Sequence, residues 1–202
     1  MCNDYARELE TGRIIKAMKE MEHIPPFSYT GGRIPNDDQP TPHIKIRDRG
    51  LVMRLQDERL EGEMLTWAWL QGKRPVFNFV SEGRDFSKTD RCLIPATSFY
   101  EYTEPEGKPK GKLKDQHQFT LADAEWFWIA GIIKQDCFTM LTVKPGPDIQ
   151  PYHDRQIVAL SPRDGMDWLQ LSKPEKEILR PLPGGSLNHR QLRRNGIVLD
   201  QK

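Results

Sequence analysis

The sequence predicts a strand-rich α+β domain with helices at its periphery. Three observations lead there. Short apolar and aromatic runs recur between residues 43 and 160, each bounded by Gly, Pro, Asp or Asn. Helical spacing dominates only one longer stretch, near the N-terminus. Two short helical candidates near the C-terminus each follow a Ser or Ser-Pro start signal.

Taken in order, residues 5–22 place Leu9, Ile14, Ile15 and Met18 at near-helical spacing, and the Pro25-Pro26 pair stops the pattern. Residues 27–43 are rich in Gly, Pro, Asp and Asn and read as loop. Residues 43–46 and 51–55 read as strands around the turn 48–50. Residues 65–70 form an apolar and aromatic segment, and 76–80, 91–95 and 98–102 are further strands. A polar loop covers 103–116. Residues 118–121 and 126–132 suggest a hairpin turning at 122–125. Residues 138–143 form a strand that Pro145-Gly146-Pro147 breaks, and 157–160 form the last core strand. Residues 162–171 and 173–179 read as helices, with Ser161 and Ser172 as N-caps. No internal repeat is present, and 202 residues fit a single domain over 1–202.

Composition narrows the function classes. Lys and Arg number 30 against 29 Asp and Glu, a net charge of +1, so global charge does not announce a nucleic-acid binder. Two local clusters could touch phosphate, Lys108, Lys110, Lys112 and Lys114 in one and Arg190, Arg193 and Arg194 in the other. Each also reads as a solvated loop or tail. Mean hydropathy is −0.70, and no apolar run approaches the roughly 20 residues of a membrane-spanning helix, so no membrane association is expected. The N-terminus lacks a basic-then-apolar leader pattern. Cys2, Cys92 and Cys137 are odd in number and widely spaced, which argues against a disulfide framework and a zinc site. A reducing cytoplasm is expected, with no metal and no cofactor.

Cys2 is the first candidate for chemistry. Removal of Met1 would leave an α-amine and a thiol on adjacent carbons. Their ordinary pKa values, near 7.7–8.0 and about 8.5, leave both partly nucleophilic at neutral pH. A 1,2-aminothiol takes an aldehyde first as an imine and then as a five-membered thiazolidine, which a Lys cannot do. Asn78 interrupts the apolar run Phe77-Asn78-Phe79. Glu101 sits between Tyr100 and Tyr102, a setting that raises a carboxyl pKa and suits acid–base work. His153, just before the run 157–160, suits proton transfer. Each also has an ordinary reading as a surface or incidental residue.

Taken together these segments resemble the SOS-response-associated peptidase (SRAP) family, in its bacterial and phage branch. The resemblance is carried by Met1-Cys2-Asn3 with Tyr5, the segment from Phe77 to Arg84, the segment Arg91-Cys92-Leu93-Ile94-Pro95 leading to Phe99-Tyr100-Glu101-Tyr102, Thr142, His153-Asp154-Arg155 and the Arg180-Pro181-Leu182-Pro183 tail. It implies a barrel-like α+β fold with a positively charged groove. It also implies covalent protection of abasic sites in single-stranded DNA. A cytoplasmic, nucleoid-associated location is expected; the sequence does not fix the oligomeric state, and a monomer is expected. Cys2, Asn78, Glu101 and His153 would be catalytic. Arg84, Trp67, Trp69, Thr142 and Arg155 would form the DNA-binding set, with a Trp stacking or wedging against a base. The sequence departs from the family pattern at Asn3-Asp4, at Val80 where an Arg is expected, and at Gln156-Ile157. These departures thin the expected DNA contacts. An N-terminal-nucleophile peptidase or amidohydrolase and a non-catalytic DNA-binding module are the alternatives.

Overall fold

The computed structural model describes residues 2–21, 24–107 and 113–199. Met1, the expected helix end at 22–23 and Lys108, Lys110 and Lys112 lie outside them.

The chain begins with β1 (Asp4–Arg7) and α1 (Thr11–Lys19), then β2 (Phe27–Tyr29), β3 (Thr41–Lys45), β4 (Arg49–Gln56), β5 (Arg59–Trp67), β6 (Trp69–Gln71), β7 (Arg74–Val76) and β8 (Asn78–Val80). It continues through β9 (Arg91–Ala96), β10 (Ser98–Thr103), β11 (Asp115–Leu121), β12 (Phe127–Lys134), β13 (Cys137–Val143), β14 (Gln156–Ile157) and β15 (Ala159–Leu160). α2 (Gly165–Gln170), α3 (Glu175–Ile178), β16 (Leu187–Arg194) and β17 (Ile197–Val198) complete it.

Among the described residues these strands form two large sheets. One has six strands in the order β17-β16-β11-β10-β1-β3, and the other runs β14-β13-β12-β9-β4-β5-β2. A parallel pairing of β13 with β5, Phe138 against Trp67, joins the ends of β5-β4-β9-β12-β13 into a ring. The fold is therefore α+β and barrel-like with peripheral helices. The barrel strands bury both faces, which is why they read as near-continuous apolar runs. On β12, Phe127 and Ile129 join a cluster with Tyr5, Phe99 and Phe119 of the six-stranded sheet, while Trp128 and Ala130 join one with Ile14, Met18 and Trp168 of the helices.

Several expected elements change identity. Residues 5–7 are strand, because β1 pairs with β10 on one side and β3 on the other, and that pairing overrides the helical spacing. The expected loop 27–43 contains β2 and the start of β3. The segment 65–70 breaks at Ala68, whose positive φ of 83° kinks the chain between β5 and β6. Residues 118–121 and 126–132 are not a hairpin: β11 pairs with β10 and β16, while β12 pairs with β9, β13 and β15. The Arg190–Arg194 region is strand β16 rather than tail. α2 starts after Asp164, one turn later than a Ser161 cap implies: Ser161 Oγ accepts the Asp164 N–H at 3.3 Å and donates to the Asp164 carboxylate at 2.7 Å, which closes a turn ahead of the helix. Ser172 likewise donates to Asp167 and does not cap α3.

Two contacts fix β1. Tyr5 fills the space beside Gly50, where a Cβ would collide with the Tyr5 hydroxyl. Arg7 pairs with Asp38 at 2.7 Å, and both side chains are 2% exposed. Asp38 also accepts from Thr11 Oγ1 and from Tyr29 Oη at 2.5 Å, so it ties the 33–40 loop to β1, α1 and β2. Removing one partner of a buried ion pair strands the other charge. Asp38→Ala should therefore lower unfolding free energy by about 3–5 kcal/mol, read from urea titration.

Candidate active site

Cys2 lies two residues before β1 and is 1% exposed. Its Sγ donates to the carbonyl of Asp4 at 3.3 Å. Burial, with the charge of Glu101 adding to it, pushes the thiol well above its ordinary value. This corrects the expectation of a part-ionised thiol: enclosed in this way, Cys2 holds its proton.

The next residues face one another around Cys2. β8 lies parallel to β13 with Asn78 opposite Met140, and Asn78 Nδ2 donates to the Cys2 carbonyl at 2.7 Å. The Asn78 Oδ1 is buried and has no hydrogen-bond partner among the described residues. On β10, Glu101 accepts the backbone N–H of Cys2, and burial pushes its carboxyl up to about 7 against that bond's opposite pull. Such a carboxyl can give or take a proton near neutral pH. His153 shares with Glu101 an open cleft of about 670 Å³, which Asn3, Asp4, Lys45, Tyr102, Lys114 and Arg193 also line. His153 Nδ1 accepts the Arg155 backbone N–H at 3.0 Å and also lies 2.7 Å from Asp154 Oδ1. One nitrogen cannot accept and donate at once. Burial holds the imidazole pKa below its usual value, which favours the neutral ring accepting from Arg155. The fold thus brings Asn78 and Glu101 onto Cys2 and His153 into the same cleft as Glu101.

The expected DNA-binding set falls elsewhere. Trp67 and Trp69 are 0% and 4% exposed, so neither offers a face to a base. Trp67 stacks on Phe138, and its indole donates to the Phe77 carbonyl at 2.9 Å, which fixes the backbone just before Asn78. Thr142 is buried at the end of β13, where its carbonyl accepts from Ser81 and Arg155. Arg155 makes two 2.7 Å bonds to the Glu82 carboxylate, so its charge is already matched, and it holds Glu82 down to about 2. Arg84 is exposed but lies over the Phe79 ring at 4.2 Å, in a different depression from the Glu101 cleft.

The departures from the family pattern also find physical roles. Asp4 is buried and accepts from Tyr102 Oη at 2.9 Å and lies 3.0 Å from His43 Nδ1, so its charge is occupied within the fold. Gln156 Oε1 accepts the Gly146 N–H at 2.6 Å and pins the segment after β13. The cations that do line the cleft are Lys45, Lys114 and Arg193, from three different parts of the chain. Lys114 pairs with Glu104 at 2.8 Å, and Arg193 lies over Tyr102 and donates to the Lys114 carbonyl at 2.7 Å. Charge clustering in the sequence pointed to the last two. Nothing in the sequence pointed to Lys45, which reaches the cleft only because β3 pairs with β1.

A model of the SOS response associated peptidase (SRAP) family matches residues 80–195, more than half of the chain. The chain belongs to the SRAP family. The matched range holds Glu101 and His153, and β1 and β8 bring Cys2 and Asn78 to it. Among curated SRAP-like relatives, the chain is 33% identical over 98 residues to the abasic site processing protein YobE of Bacillus subtilis, covering 46% of this chain and 44% of that one. It is 32% identical over 112 residues to the abasic site processing protein YoqW of Bacillus phage SPbeta, covering 51% and 50%. The alignments thus span about half the length of these relatives. The SRAP fold is matched by a phage-related protein from Bordetella bronchiseptica, with TM-score 0.72, 20% identity and coverage of 96% and 95%. A second protein from that organism gives 0.69 at 21% identity, covering 95% of this chain and all of the other. No described helix is long and apolar enough to cross a membrane.

The raised Glu101 carboxyl has a stability consequence. A folded-state pKa above the ordinary 4.5 contributes stability that is complete below 4.5 and lost as pH rises through about 7. Glu101→Gln removes that ionisation. Thermal melts should show the variant gaining on the native chain as pH climbs from about 4.5 to about 7 and holding level above that, with little difference below 4.5.

Proposed function

We propose that the chain, once Met1 is removed, captures abasic sites in single-stranded DNA as a thiazolidine on Cys2. The observation that carries this reading is the pair of contacts on Cys2: Glu101 at its nitrogen and Asn78 at its carbonyl. Relatives named as abasic site processing proteins supply the substrate class.

The Cys2 amine attacks the aldehyde carbon of the ring-opened sugar and forms a carbinolamine. Loss of water gives the imine, with Glu101 delivering the proton to the departing hydroxyl. The thiol then adds to the imine carbon, and its proton goes to the nitrogen. One water leaves overall, and no oxidant or metal enters. Three features support these roles. A carboxyl near pH 7 can both donate in the dehydration and accept from the amine beforehand. The buried Asn78 Oδ1 is an acceptor suited to the liberated amine. A thiol that holds its proton brings to the ring-closing step the hydrogen that the nitrogen needs. His153 would handle the proton of the sugar hydroxyl. Lys45, Lys114 and Arg193 would meet phosphates at the cleft, with exposed Arg84 farther along the strand.

The test uses protein whose loss of Met1 is verified by intact mass, mixed with a single-stranded oligonucleotide bearing one abasic site. A denaturation-resistant adduct should form with the native chain and vanish in Cys2→Ala. Asn78→Ala should slow it by about 10²-fold through lost orientation. An adduct that persists in Cys2→Ala, or forms equally well with Met1 retained, would sink the proposal. Peptide or glutamine turnover through a Cys2 acyl intermediate, without any adduct, would replace it with amide hydrolysis.

A further inference from the structure

The segment between β13 and β14 that carries His153 contains no strand or helix. Backbone turns hold it locally, with the His153 N–H donating to the Ile149 carbonyl at 3.0 Å, and side chains tie those turns to the sheets. Two residues on, Arg155 clamps it to Glu82 and Thr142. On the preceding side, Tyr152 begins a continuous polar chain. Its Oη lies 3.1 Å from His189 Nδ1. His189 Nε2 lies 3.0 Å from His117 Nδ1, and His117 Nε2 lies 2.9 Å from Thr103 Oγ1. All four ring nitrogens are engaged. The rings also pack on one another, with centroids 4.5 Å apart for Tyr152 and His189 and 4.7 Å for Tyr152 and His117.

The other end of this chain leads back to the site. His117 is 6% exposed and sits directly opposite Glu101 in the β10–β11 ladder. One rung therefore places Glu101, and the side chain across it reaches, through His189, the residue next to His153. We propose that His117 and His189 are positioning residues that set where His153 stands relative to Glu101. The proposal rests on the abasic-capture reading for the role of His153, but its geometry does not.

Proton counting shows how the clamp behaves. With both rings neutral, the two hydroxyls at the ends allow all bonds to run in either direction. One added proton is tolerated, since one of the facing nitrogens still accepts. A second makes both facing nitrogens donors and breaks the pair. Burial holds both imidazoles below their ordinary pKa, and a charge on His189 further disfavours charging His117. The charged or titratable groups around them are Glu101 on β10, Asp115 on β11, Arg190 on β16 and Tyr152 and His153 on the segment itself. The clamp is thus a neutral-pH device that fails in acid.

The experiment compares native chain, Tyr152→Phe, His189→Ala and the double variant, all lacking Met1. The readouts are the maximal rate of adduct formation on abasic single-stranded DNA, the half-saturating DNA concentration and the imidazole resonances of His153. Tyr152→Phe keeps the ring and loses only the hydroxyl. Each single change should cut the maximal rate about tenfold at unchanged half-saturation. The double variant should be no slower than the slower single one, since both cut the same link. An unchanged maximal rate in Tyr152→Phe, or losses that multiply in the double variant, would overturn the assignment. Should His189→Ala not fold, Tyr152→Phe decides alone. If even the native chain forms no adduct, the capture reading falls. The His153 resonances then decide positioning: a shift in Tyr152→Phe supports it, and identity with the native spectrum refutes it.

Discussion

The insertion of β1 between β10 and β3 is the constraint on which the site depends. Four residues, Asp4 to Arg7, carry it, all of them buried. Tyr5 anchors the strand beside Gly50, and Arg7 anchors its far end through Asp38. Cys2 is thereby placed by the backbone pairing of a strand that starts two residues after it. Chain ends are otherwise poorly ordered. Ordering Cys2 in advance would remove an entropic cost from the proposed reaction at its amine. The same pairing brings Lys45 on β3 and Glu101 on β10 to either side of the N-terminal residues.

Charge around the site is largely settled inside the protein. Asp4, a departure from the family pattern that thins the expected DNA contacts, is turned to Tyr102 and His43. Arg155 is matched by Glu82. Glu101 is left near neutral pH by burial. What faces the cleft is then a small basic rim and a carboxyl ready to exchange a proton. A buried carboxyl of this kind opposes folding once it ionises, so the proposed acid–base role would come at some cost in stability.

Much of this was legible in the sequence, and the failures have physical causes. β9, β10 and β13 showed plainly because strands buried on both faces are continuous apolar runs. β1 was hidden, since Leu9, Ile14 and Met18 extend a helical period backwards over residues whose state is decided by partners far along the chain. β5 over 59–64 received no assignment from the sequence, since Glu61 and Glu63 interrupt any apolar run, although they alternate with buried Leu60, Gly62 and Met64. Asn78 and Glu101 stood out as polar groups in apolar strands, and the fold sets both on Cys2. Trp67 and Trp69 misled for the opposite reason: a large aromatic is more often core than contact surface, and here Trp67 acts on Asn78 through the Phe77 carbonyl. The His117–His189 clamp had no sequence signal, because its members are 72 residues apart.

The central claim is that Cys2 reacts through both its nitrogen and its sulfur. Peptide mapping of the isolated adduct tests it most directly, after nuclease digestion and treatment with a thiol-alkylating reagent. The account predicts an N-terminal peptide that begins at Cys2, carries the sugar remnant with one water lost and resists alkylation. A Cys2 that is alkylated freely while the sugar sits on another residue, or only on the nitrogen, would contradict it.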